Sequence, residues 1–340
     1  MTEIETTLYL HIGLPKTGTT AIQRYMYFNR DAYAAQGVFW AETHPNELHE
    51  INDWAHHVYS HKWGGWLDPA KFAVTPDTAW ERLGETMRAT PGRYFVSSER
   101  FADLLPLPVG RAMLEYVQRI VSPARLVVVG YVRRQDLAIE SHLKELIKGG
   151  NLKTSLEEYL ADPASFLSFG RGFTAAAGVV GRANVIARIY ERERLAGRDA
   201  VTDFLTICGL PTLPSTAHAA LDEANPSLGT LSGKVALDPR MAEILRGKPG
   251  RWRYINELLN RGRFERMDRF SILELETRNR VMERYAEENR AFAKLFLTED
   301  DARALRYDPD ECRPYLADDM PIFTYDDMIE ILASVYPPPR

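Results

Sequence analysis

Residues 13–20 read Gly-Leu-Pro-Lys-Thr-Gly-Thr-Thr, and the segments on either side of them predict a recognisable local architecture. The preceding residues, Thr7-Leu-Tyr-Leu-His-Ile-Gly13, are rich in strand-forming types and end at a glycine. From Thr19 onward, apolar residues recur at intervals of three and four, which predicts a helix. In a strand–loop–helix segment of this kind, the backbone N–H groups of the loop and the N-terminus of the helix point at one spot. The segment is therefore suited to bind an anion.

The composition of this loop favours anion binding without a metal. Lys16 adds a positive charge, Gly18 lets the backbone approach a ligand closely, and Thr19 and Thr20 bring hydroxyl groups to the first helical turn. Gly13 and Gly18 have the spacing of a Walker A motif, but Thr19 stands where that motif has its lysine. We find no aspartate that closes an apolar strand in the Walker B manner, so magnesium-assisted phosphoryl transfer is the less favoured chemistry.

The rest of the first 200 residues alternates short apolar runs with helical patterns. Four further strands are predicted, at Gly37–Trp40, Arg93–Ser98, Arg125–Val132 and Ala183–Tyr190. Residues 125–132 form a continuous apolar run that is typical of the centre of a parallel sheet. Strands separated by helices, such as the one predicted at 137–148, indicate an α/β fold. We expect a P-loop-like central parallel sheet of about five strands with helices on both faces.

From Asp199 onward most patterns are helical, and residues 272–296 form a long charged amphipathic segment that predicts one helix. We therefore expect an α/β core over residues 1–210 and a helical C-terminal extension with a tail over residues 211–340, both within the same domain.

Residues 15–20 resemble the 5'-phosphosulfate loop of sulfotransferases that use 3'-phosphoadenosine-5'-phosphosulfate (PAPS). The likeness lies in the lysine position, the strand–loop–helix context and the paired threonines. A second likeness is Arg133 at a strand end with Ser141 eight residues later, which matches the pair that holds the 3'-phosphate in this family. A guanidinium fork and a short hydroxyl donor suit a phosphate dianion. Residues 184–192 and 203–205 are also similar to bacterial members.

The resemblance implies transfer of a sulfuryl group from PAPS to a hydroxyl or amine, leaving adenosine 3',5'-bisphosphate. It assigns the 5'-phosphosulfate to the loop residues Lys16, Thr17, Gly18, Thr19 and Thr20. Charge builds on the bridging oxygen as the bond to sulfur breaks, and Lys16 is placed to stabilise it. Bacterial relatives imply a carbohydrate or another small hydroxylated metabolite as the acceptor.

The residue that removes the acceptor's proton has two candidates. Family members use a histidine or glutamate after the third strand, and Glu99 occupies that place; it could equally form an ion pair with Arg100. The rival, His56, belongs to a stretch that contains His44, His49, His56, His57 and His61. The tryptophans of this stretch, Trp54, Trp63 and Trp66, would suit a sugar-binding wall, although surface histidines on a half-buried helix explain the pattern as well.

A late basic segment, residues 246–253, resembles somewhat the loop that supplies a third phosphate contact in cytosolic sulfotransferases. Lys248, Arg251 and Arg253 could close over the 3'-phosphate, with Trp252 near the adenine, or the segment could be a solvated basic loop. Both interpretations stay open.

Bulk properties limit the partners. The 340 residues carry a net charge of −5, which disfavours a general nucleic-acid binder. The two cysteines have no metal-site or disulfide spacing. No apolar run has the length of a membrane span and the N-terminus lacks a signal pattern, so we expect a cytoplasmic protein; the oligomeric state is open. The alternatives are a magnesium-dependent nucleotide kinase with an atypical loop and a nucleotide-binding protein without catalysis.

Overall fold

The computed structural model describes residues 5–44, 55–65, 67–148, 156–213, 229–237 and 269–316. The chain forms two compact units. The first comprises Met1–Arg134, Ala164–Ala224 and Tyr285–Arg306, and the second comprises Gln135–Pro163, Asn225–Arg284 and Tyr307–Arg340. The predicted domain boundary at residue 210 remains a prediction, because residues 214–228 lie outside the described chain.

The first unit is built on a sheet of five strands: β1 (Thr7–His11), β2 (Val38–Trp40), β3 (Arg93–Ser97), β4 (Arg125–Val132) and β5 (Val185–Ile189). Their order across the sheet is β2-β3-β1-β4-β5, and every neighbouring pair is parallel. The prediction of a central parallel sheet of about five strands is confirmed. Because β1 lies between β3 and β4, the segments that follow these three strands emerge side by side at one edge of the sheet.

The described residues contain thirteen α-helices, which we number in chain order. They are α1 (Thr19–Phe28), α2 (Arg30–Ala34), α3 (His57–His61), α4 (Pro76–Ala89), α5 (Arg100–Leu104), α6 (Pro108–Val121), α7 (Gln135–Lys148), α8 (Leu156–Ala161), α9 (Phe169–Val180), α10 (Ala200–Ile207), α11 (Thr230–Leu237), α12 (Leu275–Phe296) and α13 (Glu299–Arg303). None of these helices combines the length and the apolar character that a bilayer crossing requires.

Helices cover both faces of the sheet. The side chains of β4 alternate between the two faces and are buried on each of them. Val127, Val129 and Tyr131 belong to one buried cluster with residues of α1 and α10, including Met26 and Phe204. Gly130 faces the other way, where a Cβ added to it would lie 2.9 Å from the ring of Phe173 on α9. The apolar run of β4 is therefore buried on both sides, as its sequence predicts.

The second unit contains α7, α8, α11 and the first part of α12. Asp136 and Arg278 form a buried ion pair at 2.6 Å, and Glu140 accepts a 2.6 Å hydrogen bond from the hydroxyl of Ser271. Glu140 also pairs with Lys144 at 2.9 Å. These carboxylates are tolerated in the interior because each one has a cation or hydroxyl partner.

Candidate functional site

The loop after β1 ends at Gly18, the residue that precedes α1. Gly18 has φ 79° and ψ 9°, a left-handed conformation that favours glycine. A Cβ added to it would lie 2.6 Å from Cβ of Ala200 and 3.2 Å from Cε2 of Tyr190. Gly18 has no side chain to cap α1, so the N–H groups of the first helical turn are available to a ligand. Both the conformation and the close packing therefore require glycine here.

Two threonines of the loop stabilise its shape from inside. Thr17 and Thr19 are buried, and both donate from Oγ1 to the carbonyl oxygen of Leu14, at 2.7 Å and 3.4 Å respectively. Thr19 lies so close to Gly13 that an added Cβ on Gly13 would be 2.2 Å from its Oγ1. Thr20 is exposed. The hydroxyls of Thr17 and Thr19 thus hold the loop, and their contact with a ligand stays a prediction.

Lys16 is half-buried in this loop and has φ 63°. A left-handed conformation is uncommon for a residue with a side chain and costs on the order of 1–3 kcal/mol, so it persists where the surrounding structure enforces it. Strain of this kind is concentrated at ligand-binding sites. The backbone of Lys16 therefore marks the loop as a functional candidate independently of its charge.

Arg133 follows β4 directly, and it shares a neighbour with the loop. The backbone N–H of Tyr190 donates to the carbonyl of Val132 at 2.8 Å, which places Tyr190 at the end of β5 beside Arg133. Burial raises the pKa of the Tyr190 phenol, and the nearby Arg133 guanidinium opposes part of that rise. Since Gly18 packs against the same ring, Gly18 and Arg133 both lie beside Tyr190.

Sequence analysis did not single out Tyr190. Its position at the end of the fifth predicted strand was the available signal, because the carboxyl ends of parallel strands border the ligand crevice of an α/β sheet. The order of the strands, which a local sequence pattern does not reveal, brings this strand end close to the loop.

Glu99 lies two residues beyond β3, at the start of α5, and is half-buried. Because β3 pairs with β1, Glu99 emerges at the same edge of the sheet as the loop. Its neighbour Arg100 pairs with Asp103 at 3.0 Å and donates from Nε to the carbonyl of Gly64 at 3.2 Å. The charge of Arg100 is thus balanced within α5, and the role of Glu99 as a base stays a prediction.

His56 does not have the environment that a proton-accepting base requires. Its side chain is fully buried, its Nδ1 accepts a 2.7 Å hydrogen bond from the N–H of Ser97, and its Nε2 lies 2.8 Å from the carbonyl of Ala41. Burial lowers the pKa of His56 to about 3. Because both ring nitrogens are engaged inside the protein, we do not retain His56 as a candidate base.

Two other histidines of the stretch, His57 and His61, also lie among neighbouring groups of the protein. Burial lowers the pKa of His57 to about 4, and the charge of His61 acts in the same direction. Nε2 of His61 lies 2.7 Å from the carbonyl of Leu67. Trp63 packs edge-on against Trp80 and Tyr116, with ring centroids at 6.3 Å and 5.5 Å. A sugar-binding role for this aromatic group stays a prediction.

The roles of the remaining predicted residues stay predictions. Ser141 lies on α7 in the second unit, and its part in 3'-phosphate binding rests on its spacing from Arg133 alone. The residues that fall outside the described chain are His49, Trp54, Trp66, Lys248, Arg251, Trp252 and Arg253. Among the described residues no cluster of three or more histidine, cysteine, aspartate and glutamate side chains is arranged to hold a metal ion.

A parallel sheet of this order, whose central strand leads through a glycine-containing loop into a helix, defines an α/β protein of the P-loop-like class. No family model matches the chain. It is 32% identical over 163 residues to an uncharacterized protein of Archaeoglobus fulgidus, a match that covers 48% of this chain and 43% of that protein. The chain thus matches less than half the length of this archaeal relative.

Two solved structures show a distant likeness. Mouse sulfotransferase SULT7A1 complexed with PAP is 15% identical, with a TM-score of 0.35 and coverage of 88% of both chains. A structure from the PezAT chromosomal toxin-antitoxin system of Streptococcus pneumoniae is 10% identical, with a TM-score of 0.31 and coverage of 72% of this chain and 90% of that one. The fold class therefore rests on the sheet and loop described above.

Proposed function

We propose that this protein is a PAPS-dependent sulfotransferase that transfers a sulfuryl group to a hydroxyl or amine of a carbohydrate or small metabolite. The observation that carries the proposal is the approach of two segments to one ring: the loop at Gly18 packs on Tyr190, and the charge of Arg133 acts on the same phenol. Two anion-binding elements beside one aromatic residue suit a nucleotide that has phosphate groups at both ends.

In this proposal the loop and the start of α1 bind the 5'-phosphosulfate. The N–H groups of the first helical turn and the Lys16 ammonium supply positive electrostatic potential to it. Arg133 binds the 3'-phosphate through its planar guanidinium. Contacts of Ser141, Lys248 and Arg251 with that phosphate are predictions from the sequence alone.

The reaction is a displacement at sulfur. The acceptor oxygen or nitrogen forms a bond to sulfur while the bond from sulfur to the bridging oxygen of the 5'-phosphate breaks. Negative charge develops on that bridging oxygen, and Lys16 stabilises it. The acceptor's proton passes to Glu99, which emerges beside the loop because β3 and β1 are neighbours.

Ligand-induced thermal stabilisation tests the donor part of the proposal. Adenosine 3',5'-bisphosphate should raise the melting temperature, since a ligand at 100 times its Kd stabilises the native state by about 2.7 kcal/mol. Lys16→Ala and Arg133→Ala should abolish this shift. Lys294→Ala and Arg171→Ala, which remove the same charges from exposed positions on α12 and α9, should retain it.

The same thermal-shift measurement with ATP and magnesium tests the alternative function, a magnesium-dependent kinase. A larger shift with ATP and magnesium than with the bisphosphate would contradict the proposal and favour a kinase. Transfer of radiolabelled sulfate from PAPS to a panel of sugars and phenols, in the presence of a chelator, then tests catalysis. Bisphosphate binding with no transfer to any acceptor would indicate a binding protein instead of an enzyme.

A further inference from the structure

A group of buried polar residues lies at the carboxyl end of β3, beneath the candidate site. We call it the Ser97 cluster, and it consists of Ser97, His11, Gln23 and His56, all of which are buried. Oγ of Ser97 lies 2.8 Å from Nδ1 of His11 and accepts a 3.1 Å hydrogen bond from the amide of Gln23. The Gln23 amide also lies 3.3 Å from the carbonyl of Ser97.

The hydrogen bonds of the cluster fix the tautomer of His56. Nδ1 of His56 accepts from the N–H of Ser97, so its proton is on Nε2 and is donated to Ala41. The hydroxyl of Ser97 accepts from Gln23 and makes a second hydrogen bond with Nδ1 of His11, in which either group can be the donor.

Nε2 of His11 is buried and has no hydrogen-bond partner among the described residues. Leaving such a group unsatisfied costs on the order of 1–3 kcal/mol. An apolar residue would avoid this cost at the end of β1, where His11 packs against Phe204 with ring centroids at 5.2 Å. The described hydrogen-bond partner of the imidazole is Ser97, so His11 links the end of β1 to the end of β3.

Three members of the cluster come from the elements that border the phosphate loop and Glu99. His11 is the last residue of β1, immediately before the loop, and Gln23 lies one turn into α1. Ser97 is the last residue of β3 and stands two positions before Glu99. The backbone adds a further link, because the N–H of Ser98 donates to the carbonyl of His11 at 3.2 Å.

We propose that Ser97 is a positioning residue, which fixes the Glu99 turn relative to the phosphate loop through His11 and Gln23. This inference rests on the proposed function, since it assigns Ser97 to the geometry of the transfer step. Ser97 and Gln23 lie beneath the loop and do not contact the nucleotide in this scheme. Their removal should therefore slow the transfer and leave nucleotide binding intact.

The test compares Ser97→Ala with Ser165→Ala in the sulfuryl-transfer assay. Ser165 provides the control because its hydroxyl makes its hydrogen bond outside the Ser97 cluster, to the backbone carbonyl of Asp103 at 2.8 Å. Ser97→Ala should lower kcat about 10- to 100-fold, since small misplacements of catalytic groups have effects of this size. KM for PAPS and the thermal shift with adenosine 3',5'-bisphosphate should match those of Ser165→Ala.

Gln23→Met serves as a second variant in case Ser97→Ala does not fold, because methionine keeps the length of the side chain and removes its donor. It should show the same loss of kcat at unchanged KM for PAPS. Equal kcat values in the wild-type protein, Ser97→Ala and Gln23→Met would overturn the positioning role. A parallel loss of nucleotide binding would also overturn it. Failure of the wild-type protein to bind the bisphosphate or transfer sulfate would instead refute the proposed function.

Discussion

Tyr190 lies directly beside Gly18, and together with Ala200 it leaves no room for a side chain at that glycine: an added Cβ would be 2.6 Å from Cβ of Ala200 and 3.2 Å from Cε2 of Tyr190. Gly18→Ala should therefore displace the loop and abolish the thermal shift with adenosine 3',5'-bisphosphate. Gly37→Ala is the matched control, since Gly37 also has a positive φ, 71°, but no atom lies within 4 Å of its added Cβ.

Both glycine variants incur the strain of a left-handed backbone, and Gly18→Ala adds the cost of the close contacts with Ala200 and Tyr190. Only Gly18→Ala should lose nucleotide binding. If both variants retained the shift, or both lost it, the close packing at Gly18 would not be what shapes the anion site.

Glu99→Gln should separate proton removal from nucleotide binding. The amide cannot accept the acceptor's proton, so kcat should fall by about 10²- to 10⁴-fold, the range typical of general-base catalysis. The bisphosphate-induced thermal shift should stay at the wild-type value. Glu115→Gln, on the exposed surface of α6, is the control and should keep full activity. An unchanged kcat in Glu99→Gln would exclude Glu99 as the base.

Acidification should destabilise the protein through its buried imidazoles. Burial lowers the pKa of both His11 and His56 from 6.5 to about 3. Between these values the unfolded chain binds more protons than the folded one, so the free energy of unfolding falls as pH falls through 6.5 towards 3. At pH 5 each imidazole should reduce that free energy by about 2 kcal/mol relative to pH 8.

Urea unfolding followed by tryptophan fluorescence at pH 8 and pH 5 measures this effect. His56→Phe should be less stable than the wild-type protein at pH 8, because it leaves the Ser97 N–H and the Ala41 carbonyl unpaired. Its loss of stability between pH 8 and pH 5 should nevertheless be smaller by about 2 kcal/mol. An identical pH dependence in the two proteins would show that His56 is not buried as a neutral group.

Asp203 should be among the most sensitive positions for stability. Its buried carboxylate accepts hydrogen bonds from the Tyr131 hydroxyl at 2.9 Å, from Arg188 at 2.7 Å and 3.1 Å, and from the N–H of Ala196 at 2.9 Å. Asp203→Ala should lower the free energy of unfolding by about 3–5 kcal/mol, because it removes the acceptor of the Tyr131 hydroxyl and the Ala196 N–H and the nearest carboxylate of Arg188.

An exposed ion pair nearby provides the comparison. Glu193 pairs with Arg198 at 3.0 Å, with more than half of both side chains exposed. Glu193→Ala should therefore change the free energy of unfolding by no more than about 1 kcal/mol. Denaturant midpoints at a constant m-value distinguish Asp203→Ala from Glu193→Ala. Comparable losses of unfolding free energy in the two variants would mean that the Asp203 network adds little to stability.

The strands could be predicted from the sequence because their signal is local. Residues 125–132 form β4 with the predicted bounds, and every residue from 126 to 132 is buried, so the apolar run and the strand coincide. The start of α12 depends on a distant contact. The pattern predicts a helix from Ile272, but Ser271 pairs with Tyr315, and the helix begins at Leu275.

The residues of the candidate site also differ in whether the sequence alone could predict them. The glycine-containing loop between β1 and α1 could be predicted because Gly18 and Lys16 are close in sequence, and its role in anion binding stays a prediction. Tyr190 was missed because its proximity to Gly18 follows from the strand order. The sequence pattern did not reveal the surroundings of His56 either, because its burial results from packing against β3, about 40 residues away along the chain.

The central position of β1 has a consequence for how such a protein could change the acceptor that it uses. Arg133 and Tyr190 approach the loop from the β4 and β5 side, whereas Glu99 approaches from the β3 side. Donor and acceptor recognition would then be modular: exchanging the segment 55–104 for that of a divergent homologue should redirect the acceptor while nucleotide affinity survives. Selectivity for the acceptor could diversify in this way without rebuilding the half of the sheet to which we assign nucleotide binding.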